Sequence, residues 1–149
     1  MHDVTTLALK GVRFQGRELR FVHCYSGAEA KDAIVRHPDT AVMLLDVVME
    51  TEHAGLELVR WLQEQGVEMA LITNKPERFV APLLDQMKIG RYFRWIIGGD
   101  TLPQKKPDPA ALLFVMQMAN VAPAQALFVG DSRSDVLASR AAGVQCVAL

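Results

Sequence analysis

Cysteine is scarce in this sequence: Cys24 and Cys146 are the only two in 149 residues, far apart and without a C-x-x-C spacing. That excludes a disulfide framework and a cysteine-based zinc site, and both residues read as buried thiols in a reducing compartment. Apolar runs of membrane-spanning length are also absent. The N-terminus, Met1 to Thr6, lacks the basic-then-apolar order of a signal peptide, so we expect a cytoplasmic protein with no membrane partner. Neither sign of charge is in excess. Sixteen Lys and Arg against seventeen Asp and Glu leave a net charge of -1. With no basic stripe or acidic tail, nothing points to nucleic acid. His23, His37 and His53 are scattered without metal-ligand spacing, and there is no internal repeat or low-complexity stretch.

What is present is enough apolar residue, 50% of the chain, to build one core. We therefore expect a single domain over residues 1–149. Runs with strand character recur at Leu19–Tyr25, Ala41–Val48, Met69–Thr73, Trp95–Gly98, Ala126–Gly130 and Cys146–Leu149. Between them, helical periodicity covers Ala28–Arg36, Leu56–Gln65, Glu77–Met87, Pro109–Asn120 and Ser134–Ala142, with Gly66 and Gly143 placed as C-terminal caps. Such alternation predicts an α/β fold, a three-layer, doubly wound parallel sheet with helices on both faces. The chain opens with a helical stretch, Val4–Lys10, where a buried first strand is the usual start. Met43, Met69, Met87, Met116 and Met118 read as core filler.

Sheets of this class bind ligands beyond the carboxyl ends of their strands. Those ends are chemically suggestive here: Leu44-Leu45-Asp46, Leu71-Ile72-Thr73-Asn74, Gly130-Asp131-Ser132, and the pair Lys105-Lys106 that follows the Trp95 run. Phosphoryl transfer needs a nucleophile, a cation and donors that hold the phosphoryl oxygens in line. Asp46 suits the nucleophile, since a carboxylate can form an acyl phosphate. Asp131 and Asp135 suit Mg²⁺, which takes a few carboxylates and keeps several waters. Thr73 offers a hydroxyl and Lys106 a point charge. Each residue also has a plainer use. An aspartate closing a strand can be only a helix N-cap, Thr73-Asn74 only turn chemistry, Lys105-Lys106 only a solvated loop, and Asp131-Ser132 only a capping pair. Taken together, suitable residues after four strands of one sheet favour the chemical reading.

From about Val67 onward the chain resembles the haloacid-dehalogenase-like phosphatases, and most closely the phosphoglycolate phosphatases. The resemblance rests on Leu71-Ile72-Thr73-Asn74-Lys75-Pro76, Gly98-Gly99-Asp100, Lys105-Lys106-Pro107-Asp108-Pro109, and Phe128-Val129-Gly130-Asp131-Ser132-Arg133-Ser134-Asp135. It implies a Rossmann-like sheet, Thr73 and Lys106 on the phosphate, and Asp131 with Asp135 serving Mg²⁺. The family's first motif, two aspartates one residue apart followed by Gly-Thr, has no counterpart in residues 1–66. That half, through Ser26-Gly27-Ala28-Glu29-Ala30, Leu44-Leu45-Asp46-Val47-Val48-Met49 and Gly55-Leu56-Glu57-Leu58-Val59-Arg60, resembles response-regulator receiver domains, of the flavodoxin-like fold, entered after their first strand. On that resemblance Asp46 is the phosphoacceptor.

We read the chain as an engineered hybrid, receiver-like over 1–66 and phosphatase-like over 67–149, joined near Gln65. Mg²⁺ is then expected between Asp46 and Asp131, with Asp135 and the carbonyl of Val48. Asp131 and Asp135 replace the acids lost with the receiver's first strand. Val48 stands where the phosphatases put their general acid/base, and the bulky cap insertion is missing. The partner is a small phosphorylated substrate or phosphodonor, with no obligate protein partner. Three activities stay open: a phosphatase with weak turnover, a receiver-like phosphoacceptor module, and an inactive scaffold. The segments Leu19–Tyr25 and Cys146–Leu149 inherit one position beside the strand ending at Asp131, so only one of them is expected there.

Overall fold

A computed structural model describes residues 13–14, 17–18, 22–23, 31–32, 34–36, 38, 42–45 and 52–148. Its strands are β1 (Arg13–Phe14), β2 (Arg17–Glu18), β3 (Val22–His23), β4 (Val42–Leu45), β5 (Glu68–Ile72), β6 (Trp95–Ile97), β7 (Ala126–Gly130) and β8 (Gln145–Ala148). The long helices are α1 (Glu52–Glu64), α2 (Glu77–Met87), α3 (Ala110–Ala119) and α4 (Arg133–Ala142). Strands β3 to β8 form one parallel sheet in the order β3-β8-β7-β4-β5-β6, and β1 pairs with β2 in a separate antiparallel hairpin.

The chain leaves β4 in one direction, through β5 to β6, then crosses back to lay β7 and β8 on the other side. Strand β4 is thus the centre of the sheet and the place where strand order reverses, which is where ligands bind in this class. The register levels the strands in one row: Val22, Val147, Val129, Leu45, Leu71 and Ile96 are successive partners across all six. Residues just beyond that row therefore share one edge.

Successive side chains of a strand face opposite ways. Met69, Leu71, Leu127 and Val129 accordingly join one buried cluster with Leu58, Val59 and Leu62 of α1 and Val80 and Leu84 of α2. Ala70, Ile72, Phe128 and Cys146 join the other, with Leu112 and Val115 of α3 and Val136 and Ala138 of α4. The helices end where the sequence lets the backbone turn left-handed. Gly143 caps α4 with φ 72°, and Gly66, just beyond α1, has φ 74°. Lys88 and Asn120 do the same after α2 and α3 without being glycine.

Several expectations change. As expected, only one of the two disputed strands, β8, takes the place beside β7; that β3 joins the same sheet on the far edge of β8 was not expected. The antiparallel pairing of β1 with β2 was not expected from the sequence. Helix α1 begins at Glu52 rather than Leu56. Met118 is exposed on α3 with Leu113 and Phe114 rather than in the core, whereas Met69 and Met116 are buried as expected. The helix expected over Val4–Lys10 and the thiol of Cys24 lie outside the described residues. Among those residues, no helix is long and apolar enough to cross a membrane.

Candidate active site

Three loops converge on the carboxyl edge of the sheet beside β4. The first follows β5 and carries Thr73, which is half-buried. Its amide donates to the carbonyl of Ile97 at 3.0 Å, tying the loop to β6. Its Oγ1 accepts from the amide of Lys75 at 3.2 Å, which leaves the hydroxyl proton to donate elsewhere.

The second loop carries Lys106, whose neighbour Lys105 is exposed as expected of a solvated loop. Lys106 itself is 3% exposed. Its Nζ donates to the carbonyl of Ile72 at 3.0 Å and lies 2.6 Å from Asp135 Oδ1. It also stands 5.4 Å from the centroid of the buried Phe128 ring, within cation–π range. Ile72 ends β5 and Asp135 sits in the first turn after β7, and these strands flank β4 on its two sides. An ammonium that touches both therefore stands at the carboxyl end of β4.

The third loop follows β7. Ser132 is the N-cap of α4, and with Asp135 it forms a reciprocal capping box: the Ser132 amide donates to Asp135 Oδ2 at 2.9 Å and the Asp135 amide to Ser132 Oγ at 3.3 Å. The Ser132 hydroxyl also donates to Oδ2 at 2.7 Å. Asp135 thus serves the helix with one oxygen and Lys106 with the other. The approach is close because residue 130 is glycine, where an added Cβ would come within 2.6 Å of Asp135 Cβ. Asp131 differs from Asp135 in being exposed.

Of the expected site residues, Thr73, Lys106, Asp131 and Asp135 are all at this edge. Asp46 and Val48 lie outside the described residues; Leu45, which precedes Asp46, is level with Val129 and Leu71. Asn74 and Asp100 hold the loops together and were given no such part from sequence, whereas Ser132 caps α4 as the plainer reading of Asp131-Ser132 allowed. The Ser-x-x-Asp spacing of a capping box was a usable signal for Ser132.

A match to the family model described as haloacid dehalogenase-like hydrolase covers residues 43–149. The chain belongs to that family. Among curated relatives, a "probable phosphoglycolate phosphatase" of Pseudomonas putida is 87% identical over 93 residues, covering 62% of this chain and 37% of the relative. A phosphoglycolate phosphatase of Pseudomonas fluorescens is 84% identical over 93 residues, covering 62% and 34%. The chain spans about a third of the length of these relatives. A solved structure described as a predicted phosphoglycolate phosphatase of Haemophilus somnus is 38% identical with a TM-score of 0.61, covering 62% of this chain and 41% of that one. A family hydrolase of Ehrlichia chaffeensis covers 82% of this chain and 60% of its own at a TM-score of 0.62; at 24% identity this speaks to fold alone.

Proposed function

We propose that this chain carries a phosphoglycolate phosphatase-like phosphoryl site, working through an aspartyl-phosphate on Asp46. The carrying observation is the buried Lys106 ammonium at the carboxyl end of the central strand, one residue short of Asp46 in sequence. Asp46 attacks phosphorus and the alcohol leaves as its P–O bond breaks. Thr73 donates its hydroxyl to a phosphoryl oxygen and Lys106 supplies positive charge. Water then attacks the acyl phosphate, returning Asp46 and releasing phosphate.

The donor set suits Mg²⁺. Asp131 offers an exposed carboxylate beside the end of β4, and one or two carboxylates with several waters are what this ion takes. With Asp46, expected just beyond β4, Asp131 would supply those carboxylates. When bound it neutralises phosphoryl charge. Asp135, with its oxygens on Lys106 and Ser132, acts in this reading by holding them in place.

The hybrid reading belongs to the same proposal: one α/β domain over 1–149, receiver-like over 1–66 and phosphatase-like over 67–149. It is supported by the lack of the family's paired first-motif aspartates around Asp46, whereas the family match itself begins at residue 43, ahead of the proposed join. Incubation with acetyl phosphate and Mg²⁺, followed by mass spectrometry, should place one phosphoryl group on Asp46. An adduct that survives Asp46→Asn sinks the assignment.

A further inference from the structure

The loops bearing Thr73 and Lys106 are held by a third loop, Gly98 to Thr101, that the proposed chemistry does not use. Helix α2 starts after Pro76 with no capping side chain of its own. Its first amide, that of Glu77, donates instead to Asp100 Oδ1 at 2.7 Å. Thr101 Oγ1 accepts from the Gly98 amide at 2.8 Å and donates to Glu77 Oε2 at 3.1 Å. The Gly99 amide donates to the carbonyl of Lys75 at 2.8 Å. A Cβ on residue 99 would lie 2.1 Å from the Asn74 carbonyl oxygen, so only glycine permits this contact. From the loop so fixed, Asn74 Nδ2 donates to the backbone carbonyl of Lys106 at 2.8 Å.

We propose that Asp100 and Asn74 are positioning residues: Asp100 fixes the first turn of α2 and the Thr73 loop, and Asn74 transmits that position to Lys106. The proposal rests on Thr73 and Lys106 being the phosphate-binding pair. Lysine needs such help because its ammonium is a point charge on a flexible stem, so its place depends on where its backbone is held. Asn at 74 is specific chemistry, because a carbonyl must be met by a donor and an aspartate there has none to give. At position 100 the demand is reversed. An acceptor is needed, which asparagine also supplies.

The test compares Asn74→Asp, Asp100→Ala and Asp100→Asn, each shown to be folded by circular dichroism. The first readout is pulse acylation with acetic anhydride, read residue by residue by mass spectrometry, with exposed Lys105 as internal reference. Lys106 should label about ten-fold faster or more in Asn74→Asp and Asp100→Ala, and at the parent rate in Asp100→Asn. The second is turnover of phosphoglycolate, where kcat should fall about 10²-fold, as expected of a misplacement near 1 Å, with KM little changed. If the parent protein has no turnover, the phosphatase reading fails, and labelling alone still decides the clamp. Lys106 as protected in Asn74→Asp as in the parent, or Asp100→Asn labelling as fast as Asp100→Ala, overturns it. If Asn74→Asp does not fold, the Asp100 pair decides.

Discussion

Lys106 Nζ lies 2.6 Å from Asp135 Oδ1, with the two side chains 1% and 0% exposed. Such a pair offsets the cost of taking both charges out of water, and removing one partner leaves the other buried without compensation. Asp135→Leu and Lys106→Met should each destabilise the fold by about 3–5 kcal/mol. The double variant should cost less than the sum of the two, because no uncompensated charge is left in it. Urea unfolding of the four proteins measures the coupling. Additive losses would mean that the pair is energetically silent.

Gly130 and Gly66 separate two reasons for needing glycine. At 130 the demand is space: a Cβ would meet Asp135 Cβ at 2.6 Å. At 66 it is the positive φ of 74°, with nothing within 4 Å. Gly66→Ala should lose about 1 kcal/mol, the usual cost of a left-handed alanine, and leave the site intact. Gly130→Ala should lose about 1–3 kcal/mol by overpacking and push Asp135 off Lys106. Thermal melts compare the two costs, and faster acylation of Lys106 in Gly130→Ala alone reports the displacement.

The sheet and its chemistry-bearing edge were legible because each strand of the second half is a short apolar run closed by a polar residue, and Glu77–Met87 and Ala126–Gly130 keep their expected bounds. Contacts between distant segments were not legible. Nothing in Asp135 alone says that one oxygen caps α4 while the other meets a lysine from another loop. Asn74 beside Thr73 reads as turn chemistry until its amide is found on the Lys106 carbonyl. Only one of the two candidate strands, β8, lies beside β7, as expected, but the outer place of β3 was not foreseen for a similar reason. Resemblance to two families gave each the same slot, whereas a parallel sheet can grow at its edge.

Two groups give opposite pH signatures. Hydrogen bonds from Arg60 and then Arg91 lower the Tyr92 phenol below its usual 10.0. The folded chain then ionises first, and this contribution is present in full above pH 10.0 and lost as the pH falls through the folded value. Burial pushes the Cys146 thiol up from 9.0 to about 11. The unfolded chain therefore ionises first, and the stability present below pH 9.0 is lost as the pH climbs to about 11. Tyr92→Phe should steepen the alkaline loss of stability and Cys146→Ala should flatten it. Denaturant midpoints across that range test both, and the difference in phenolate absorbance between the parent and Tyr92→Phe isolates Tyr92 from Tyr25. Parallel curves for all three proteins would refute the assignments.

Val48 carries no proton to give, and on the proposed reading it stands where the phosphatases that the chain resembles keep a general acid/base. Glycolate leaves phosphoglycolate as an alkoxide, so its departure needs a proton, which the side chain of Val48 cannot supply. A positioned acid is typically worth ~10² to 10⁴ in rate, so Val48→Asp should raise turnover of phosphoglycolate toward that range. The gain should be smaller for an aryl phosphate, whose leaving group needs little protonation, and smallest for acetyl phosphate. That ordering separates general acid catalysis from better metal binding, which would raise all three alike. A new carboxylate must also be aimed, and water that reaches it weakens each hydrogen bond it makes. Stability and Mg²⁺ affinity are therefore measured on the same samples. If Val48→Asp folds, binds Mg²⁺ as the parent does and hydrolyses all three substrates no faster, the missing acid is not what limits this site, and the inactive-scaffold reading takes its place.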